Sequence, residues 1–312
     1  MKQSIVFLIC FLVIVSSCSE IGLGSDKKKS SGLFPVIQNG KWGYINKTGK
    51  RVIKPQFERA EAFSGGLAAV RIDGKWGYID KTGKLIINPK FDYDAGEFSG
   101  GLAAVRIDGK WGYIDKTGKL TIKPQFDTAE VFSEGLAGIK TGGMFGHMGY
   151  IDNTGNIIIN PQFDFAGARE FSEGLAAVSI DDKWGYIDKT GKLIIKLQFG
   201  RAGEFSEGLA CVEIDGKFGY IDKTGKLIIN PQFDSMWGYS ENAMKFSDGL
   251  AGVKIGDKCG YIDKTGKVII NPQFGLAWGF SEGIAKVETD IVDRNEFGYI
   301  DKTGKYVWHP TK

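Results

Sequence analysis

Residues 67–91 read LAAVRIDGKWGYIDKTGKLIINPKF, and this stretch predicts three short strands joined by two tight turns. The run from Leu67 to Ile72 is apolar and partly β-branched, and it stops at Asp73-Gly74. Asp-Gly between two strand-like runs signals a type I′ hairpin, because both central residues of that turn need positive φ. A second strand is expected over residues 75–79, and Asp80-Lys81-Thr82-Gly83 closes the next hairpin. Asp opens a type I turn well, and Gly takes the left-handed position of a bulge. The third strand begins at Lys84, and Pro89, which cannot donate to a ladder, is expected to end it. Gly-containing turns recur too closely here for a helix.

Outward from this stretch the same letters return. Gly-Tyr-Ile occurs eight times, at Gly43, Gly77, Gly112, Gly149, Gly185, Gly219, Gly260 and Gly298, at intervals of 34 to 41 residues. Phe-Ser-(Glu/Gly/Asp)-Gly-(Leu/Ile)-Ala recurs seven times from Phe63 to Phe280, with a truncated copy at Gly32-Leu33. In the first seven units the motif Gly always lies 14 residues before the Phe of the Pro-Gln-Phe element, as from Gly77 to Phe91. The Phe of Phe-Ser lies 7 residues before the last apolar residue of the next run, as from Phe63 to Val70. Length varies in two places only, which are therefore loops. Self-similarity at this period marks a repeat architecture.

Alternation puts Trp76 and Tyr78 on one face of the second strand and Gly77 and Ile79 on the other. Gly77 is expected to leave a gap that seats an aromatic of the neighbouring unit. Both faces are apolar, so each small sheet must be covered on both sides. The expected fold is all-β: eight tandem three-stranded antiparallel β-meander repeats, stacked as a propeller-like toroid or as an open β superhelix. Lys-Trp-Gly-Tyr-Ile-Asp-Lys-Thr-Gly-Lys with a following Pro-Gln-Phe resembles the WG (KWG) β-repeat of bacterial proteins, over residues 32–312. The resemblance implies an architecture and attaches little chemistry to it. Departures are Met148, Phe218, Cys259 and Phe297 at the Trp position, Leu197 in place of Pro, and a last unit ending Trp308-His309-Pro310.

The N-terminus reads differently. Lys2, the apolar run from Ile5 to Val15 and the small residues after it outline an export signal over residues 1–17, too short for a stable membrane span. Val15-Ser16-Ser17-Cys18 resembles the lipobox of bacterial lipoproteins, which implies lipidation of Cys18 and anchoring to a membrane. Residues 18–31 are then the lipidated Cys and a flexible tether. By analogy with lipoprotein sorting, Ser19 fits an outer-membrane or surface place in the cell envelope. Cys211 and Cys259 occupy apolar repeat positions and read as buried apolar substitutes, with a disulfide between them as the alternative in an exported protein.

Composition narrows the function classes. The net charge of +3 and the pairing of Lys with Asp in each repeat give no basic stripe, so nucleic acid is not an expected partner. Asp-Lys-Thr-Gly, starting at Asp80, Asp115, Asp188, Asp222, Asp263 and Asp301, matches the letters around a phosphorylated Asp of ion pumps, but six copies describe a turn. Glu134, Glu173, Glu207 and Glu282 also sit at repeat-equivalent turn positions, which speaks for structure. With two His, His147 and His309, the chain has little material for a metal site or a hydrolytic triad. No enzyme activity, metal or cofactor is expected.

Three segments break the pattern, and in repeat arrays such insertions map to binding loops. Thr141–Met148 adds Met144, Phe145 and His147; Asp234–Lys245 adds Met236, Trp237, Tyr239 and Met244; Glu288–Glu296 adds charged residues. Exposed aromatics are favoured interface anchors, so Trp237 and Tyr239, with Met236, Phe145 and His147, are the candidate partner-binding residues. The expected role is an envelope scaffold that binds protein or glycan through these loops. A structural envelope component without a dedicated ligand is the alternative, and a glycan hydrolase with two carboxylates in one cleft is the second.

Overall fold

A computed structural model of the chain describes residues 32–38, 40–46, 50–93, 95–164, 167–234, 244–281, 283–288 and 297–308. The signal segment, Cys18 and the tether lie outside the described residues, as do Met236, Trp237, Tyr239 and Glu282. Eight antiparallel sheets follow one another along the chain. Among the described residues no helix is long and apolar enough to cross a membrane.

Repeat 2 shows the unit. Its first strand is Ala68–Ile72, its second Lys75–Ile79 and its third Leu85–Phe91, paired in that order. Asp73 and Gly74 have φ of 49° and 77°, as the type I′ hairpin requires. At the other hairpin Gly83 has φ of 88°. The Asp80 carboxylate accepts from the amide of Thr82 at 2.9 Å, its hydroxyl at 2.6 Å and the amide of Lys84 at 3.1 Å. The repeated Asp-Lys-Thr-Gly is thus a self-capped turn.

Three features differ from the sequence reading. First, the sheet has a fourth member. Arg59–Ala60, from the linker after the previous unit, pairs antiparallel with the first strand. Two-residue strands of this kind complete four of the eight sheets, and single bridges such as Ala95↔Val105 take the same place in three others. Second, Pro89 lies inside the third strand rather than ending it. The strand bulges opposite Gly77, between the pairs Trp76↔Phe91 and Tyr78↔Ile87. A bulge on an edge strand tolerates a residue without an N–H. Third, that bulge fills the space beside Gly77, so no neighbouring aromatic enters it. A Cβ there would stand 2.6 Å from the Ile87 carbonyl oxygen and 2.7 Å from the Pro89 nitrogen.

Successive repeats are joined by contacts that recur along the array. Tyr78 packs on Phe98 of the next unit with ring centroids 4.9 Å apart, and its hydroxyl donates to the Gly96 carbonyl at 2.8 Å. Ser64 donates through its hydroxyl to the Phe98 carbonyl at 2.8 Å. Gly118, in the turn of repeat 3, seats against the Ile87 side chain. Each apolar cluster therefore draws on neighbouring repeats, as in the one shared by Tyr78, Phe91, Phe98 and Val105. From repeat 4 onward a polar brace is added. Glu134 accepts from the Gly174 amide at 3.0 Å and meets Lys189 at 3.0 Å, and Glu173, Glu207 and Asp248 repeat the link. These carboxylates are structural, as their periodicity predicts.

The Trp position is less uniform than expected. Trp76 is buried, but Trp42, Trp111 and Trp184 are half-buried, whereas the smaller Met148, Phe218 and Cys259 are fully enclosed. The indole is large enough to reach the surface, where Arg169 lies 5.3 Å over Trp184. Cys211 and Cys259 are both free and buried.

Candidate binding face

The hairpin path sorts loops between two edges of the array. The first strand ends, the second begins, the third ends and the inner segment begins at one edge. The Asp-Lys-Thr-Gly and Phe-Ser turns lie at the other. Thr141–Met148 is a first hairpin at the first edge, and the described flanks of the other two off-pattern segments, Phe233–Asp234 and the strand ends Glu288 and Phe297, lie at that edge too. One edge is regular; the other carries the variation.

In repeat 4 the insertion is well built. A short 3-10 turn spans Gly143–Phe145, entered through Gly142 at φ 95°. The Gly143 amide donates to the Asp127 carboxylate at 2.7 Å, and Lys140 donates to the Met144 carbonyl at 3.1 Å. A side chain on Gly146 would run into the Thr141 carbonyl. These restraints hold Met144 and Phe145 outward, 82% and 89% exposed. His147 is exposed, with Nδ1 3.3 Å from the Phe163 carbonyl. Tyr93 lies at this edge too, 54% exposed and stacked under the Arg106 guanidinium at 4.9 Å. Of the predicted site, Phe145 and His147 are brought together on one loop. Trp237, Tyr239 and Met236 fall outside the described residues, and their segment ends in Met244, which is core: it is buried, and its carbonyl accepts from Tyr220 at 2.8 Å.

Sequence reasoning missed a second group. The residues just before Phe-Ser differ from unit to unit. Glu97, Glu130 and Glu204, from repeats 3, 4 and 6, lie close enough to Glu170 of repeat 5 to act on its carboxyl. Lys245 of repeat 7 pairs with Glu204 at 2.5 Å. Burial, and then the proximity of Glu204, Glu130 and Glu97, push the Glu170 carboxyl up to about 8, opposed by Lys245. Burial also raises Glu130, against the pull of Arg169. The third strands form the opposite end of each sheet, with Leu85, Ile86 and their counterparts partly exposed. Among the described residues no group of three or more His, Cys, Asp and Glu side chains is placed to hold a metal ion.

The family model described as WG containing repeat matches residues 42–76, 76–111, 111–145, 148–184, 184–218, 218–259 and 260–290. The chain belongs to this family. Its WG dipeptide is the pair at which the aromatic packs and the glycine admits the third-strand bulge. No curated protein matches the chain. Among solved structures it resembles the dihydro-heme d1 dehydrogenase NirN in complex with DHE, at 14% identity and a TM-score of 0.53, covering 92% of this chain and 75% of that one. It also resembles Hsv2p of Kluyveromyces lactis, at 12% identity and a TM-score of 0.47 over 83% and 90% of the two chains. The Dos1 propeller aligns at 16% identity and a TM-score of 0.46 over 78% and 77%. At such identities the likeness concerns the fold alone.

Proposed function

We propose that this WG-repeat chain is a non-enzymatic binding scaffold of the cell envelope, tethered through a lipid on Cys18, which presents its variable edge to a protein or envelope glycan. The observation that carries the reading is that the Thr141–Met148 hairpin and the described flanks of the other two off-pattern segments lie at one edge. Repeated turns are needed to stack the sheets, so only segments outside the period are free to specialise. The Met144-Phe145 tip supports it further: two large apolar side chains, held outward by backbone hydrogen bonds, lose little freedom on binding.

The test is capture from envelope extracts by the wild-type chain and by a Met144→Ser/Phe145→Ser variant. The expected result is loss of the captured partner with an unchanged Tm. Capture that survives this variant and a Trp237→Ala/Tyr239→Ala variant, or self-association alone, favours a structural envelope component. Labelled fatty acid should enter the wild-type chain in bacteria and not Cys18→Ala.

A further inference from the structure

Among the described residues the first sheet lacks a member that the others have. In repeat 2 the inner segment donates from the Glu58 amide to the Arg71 carbonyl and from the Glu61 amide to the Ala69 carbonyl, each at 2.9 Å. Equivalent bonds or bridges complete every later sheet. In repeat 1 the first strand, Leu33–Gln38, is the end of its sheet, and the matching carbonyls are those of Ile37 and Pro35. Among the described residues nothing donates to them. Burial agrees. Val36 is only half-buried and Ile37 is 59% exposed, whereas the counterparts of Val36 from Val70 to Val287 are fully buried. Pro35 does not block the edge, because the inner-segment bond at this position goes to its carbonyl.

The chain's own inner segments define what such an edge accepts. Six of them place an Ala at the buried position, as Ala60 opposite Val70. Several begin with a carboxylate that caps the neighbouring hairpin: Glu58 accepts from the Gly74 amide at 3.1 Å, and Asp127 from the Gly143 amide at 2.7 Å. The Gly40 amide, at the matching place in repeat 1, receives no such cap among the described residues. The same sheet is basic. Lys41 of the second strand and Arg51 and Lys54 of the third share one depression with Gln38 at the end of the first strand, and no carboxylate among the described residues pairs with them. Lys75, Lys110 and Lys217, at the position of Lys41, each meet an Asp that opens the following inner segment, whereas Glu58, in that place after repeat 1, faces Arg71 and leaves Lys41 open to another carboxylate.

We propose that the inner edge of the first repeat is a strand-addition site for an extended acidic peptide of a partner protein, with Asp or Glu two residues before a small residue. Backbone pairing to Ile37 and Pro35 supplies affinity, the carboxylate caps Gly40, and the small side chain covers Val36. This site is separate from the Met144-Phe145 tip.

The probe is a labelled peptide FERAEA, which copies residues 57–62, titrated against the full chain by fluorescence anisotropy. Saturable one-to-one binding is expected. N-methylation of the first Glu amide, or its replacement by Lys, should weaken binding about tenfold, the worth of one hydrogen bond to or from a charged or desolvated group. Lys41→Glu/Lys54→Glu should weaken it on the protein side with an unchanged Tm, and Met144→Ser/Phe145→Ser should not. Equal binding of methylated and unmethylated peptide overturns the proposal. So does no binding, whether the Ile37 amide is already protected from exchange in the free chain (its own preceding residues fill the edge) or the chain is a dimer.

Discussion

Ser133 and Phe171 are 38 residues apart in sequence, yet the Ser133 hydroxyl donates to the Phe171 carbonyl at 2.6 Å inside the joint between repeats 4 and 5. The same bond recurs from Ser64 to Ser247, so the array is laced by single hydroxyls as well as by apolar packing. Ser133→Ala leaves a buried carbonyl without its donor and should cost about 1–3 kcal/mol. Urea denaturation of the variant against wild type measures it.

The motif glycines should divide into two classes. A Cβ at Gly112 would stand 2.5 Å from the Ile122 carbonyl oxygen and 2.7 Å from the Pro124 nitrogen, both backbone atoms that cannot turn aside. Gly135 has φ of 91° but open space around it. Gly112→Ala should therefore cost more than about 3 kcal/mol and disturb the sheet, while Gly135→Ala should cost about 1 kcal/mol from backbone strain alone. Thermal melts of the two variants decide the order.

Stability should fall on both sides of a pH optimum. The turn aspartates, Asp115 and Asp188 among them, are held below the usual range, first by the Thr hydroxyl beside each. Their contribution is present above the unfolded value and is lost as pH falls through the folded one. Glu170 works in the opposite sense: its folded value is raised from 4.5 to about 8. Its proton is retained by the folded chain and released by the unfolded one in that window, so stability declines as pH rises from 4.5 to about 8. Glu170→Gln should flatten the alkaline side of a Tm-versus-pH curve and leave the acid side in place.

Thiol chemistry should be silent in the folded protein. Burial pushes the Cys211 thiol far above its ordinary value and Cys259 up to about 11. Neither is a ready nucleophile. A thiol-reactive dye should label neither residue until denaturant is added, and non-reducing electrophoresis should show no Cys211–Cys259 crosslink.

The hairpins, the strand order and the loop positions were legible because each rests on local chemistry. Asp73-Gly74 can hardly be anything but a turn, and Asp80 caps the one after it. The inner segment was not legible. Arg59–Ala60 is too short to show alternation and lies in the linker that varies most. The role of Gly77 was half legible: its invariance announced a close approach, but the approaching atoms belong to its own third strand. Glu97, Glu170 and Glu204 escaped notice because the position before Phe-Ser varies from unit to unit, so it carries no periodic signal, and only the folded array brings the three together. The exposure of Phe145 was legible from the length of its hairpin, since an added apolar residue at a tip has no core to enter.

The Glu–Lys brace has a mechanical corollary. Gly65 and Gly100 stand where later repeats have Glu or Asp, so the joints between repeats 2 and 3 and between 3 and 4 are unbraced. Tension applied at the N-terminal end meets these weaker joints first. Extension is expected to begin there and to meet more resistance at the joints that carry the carboxylate link.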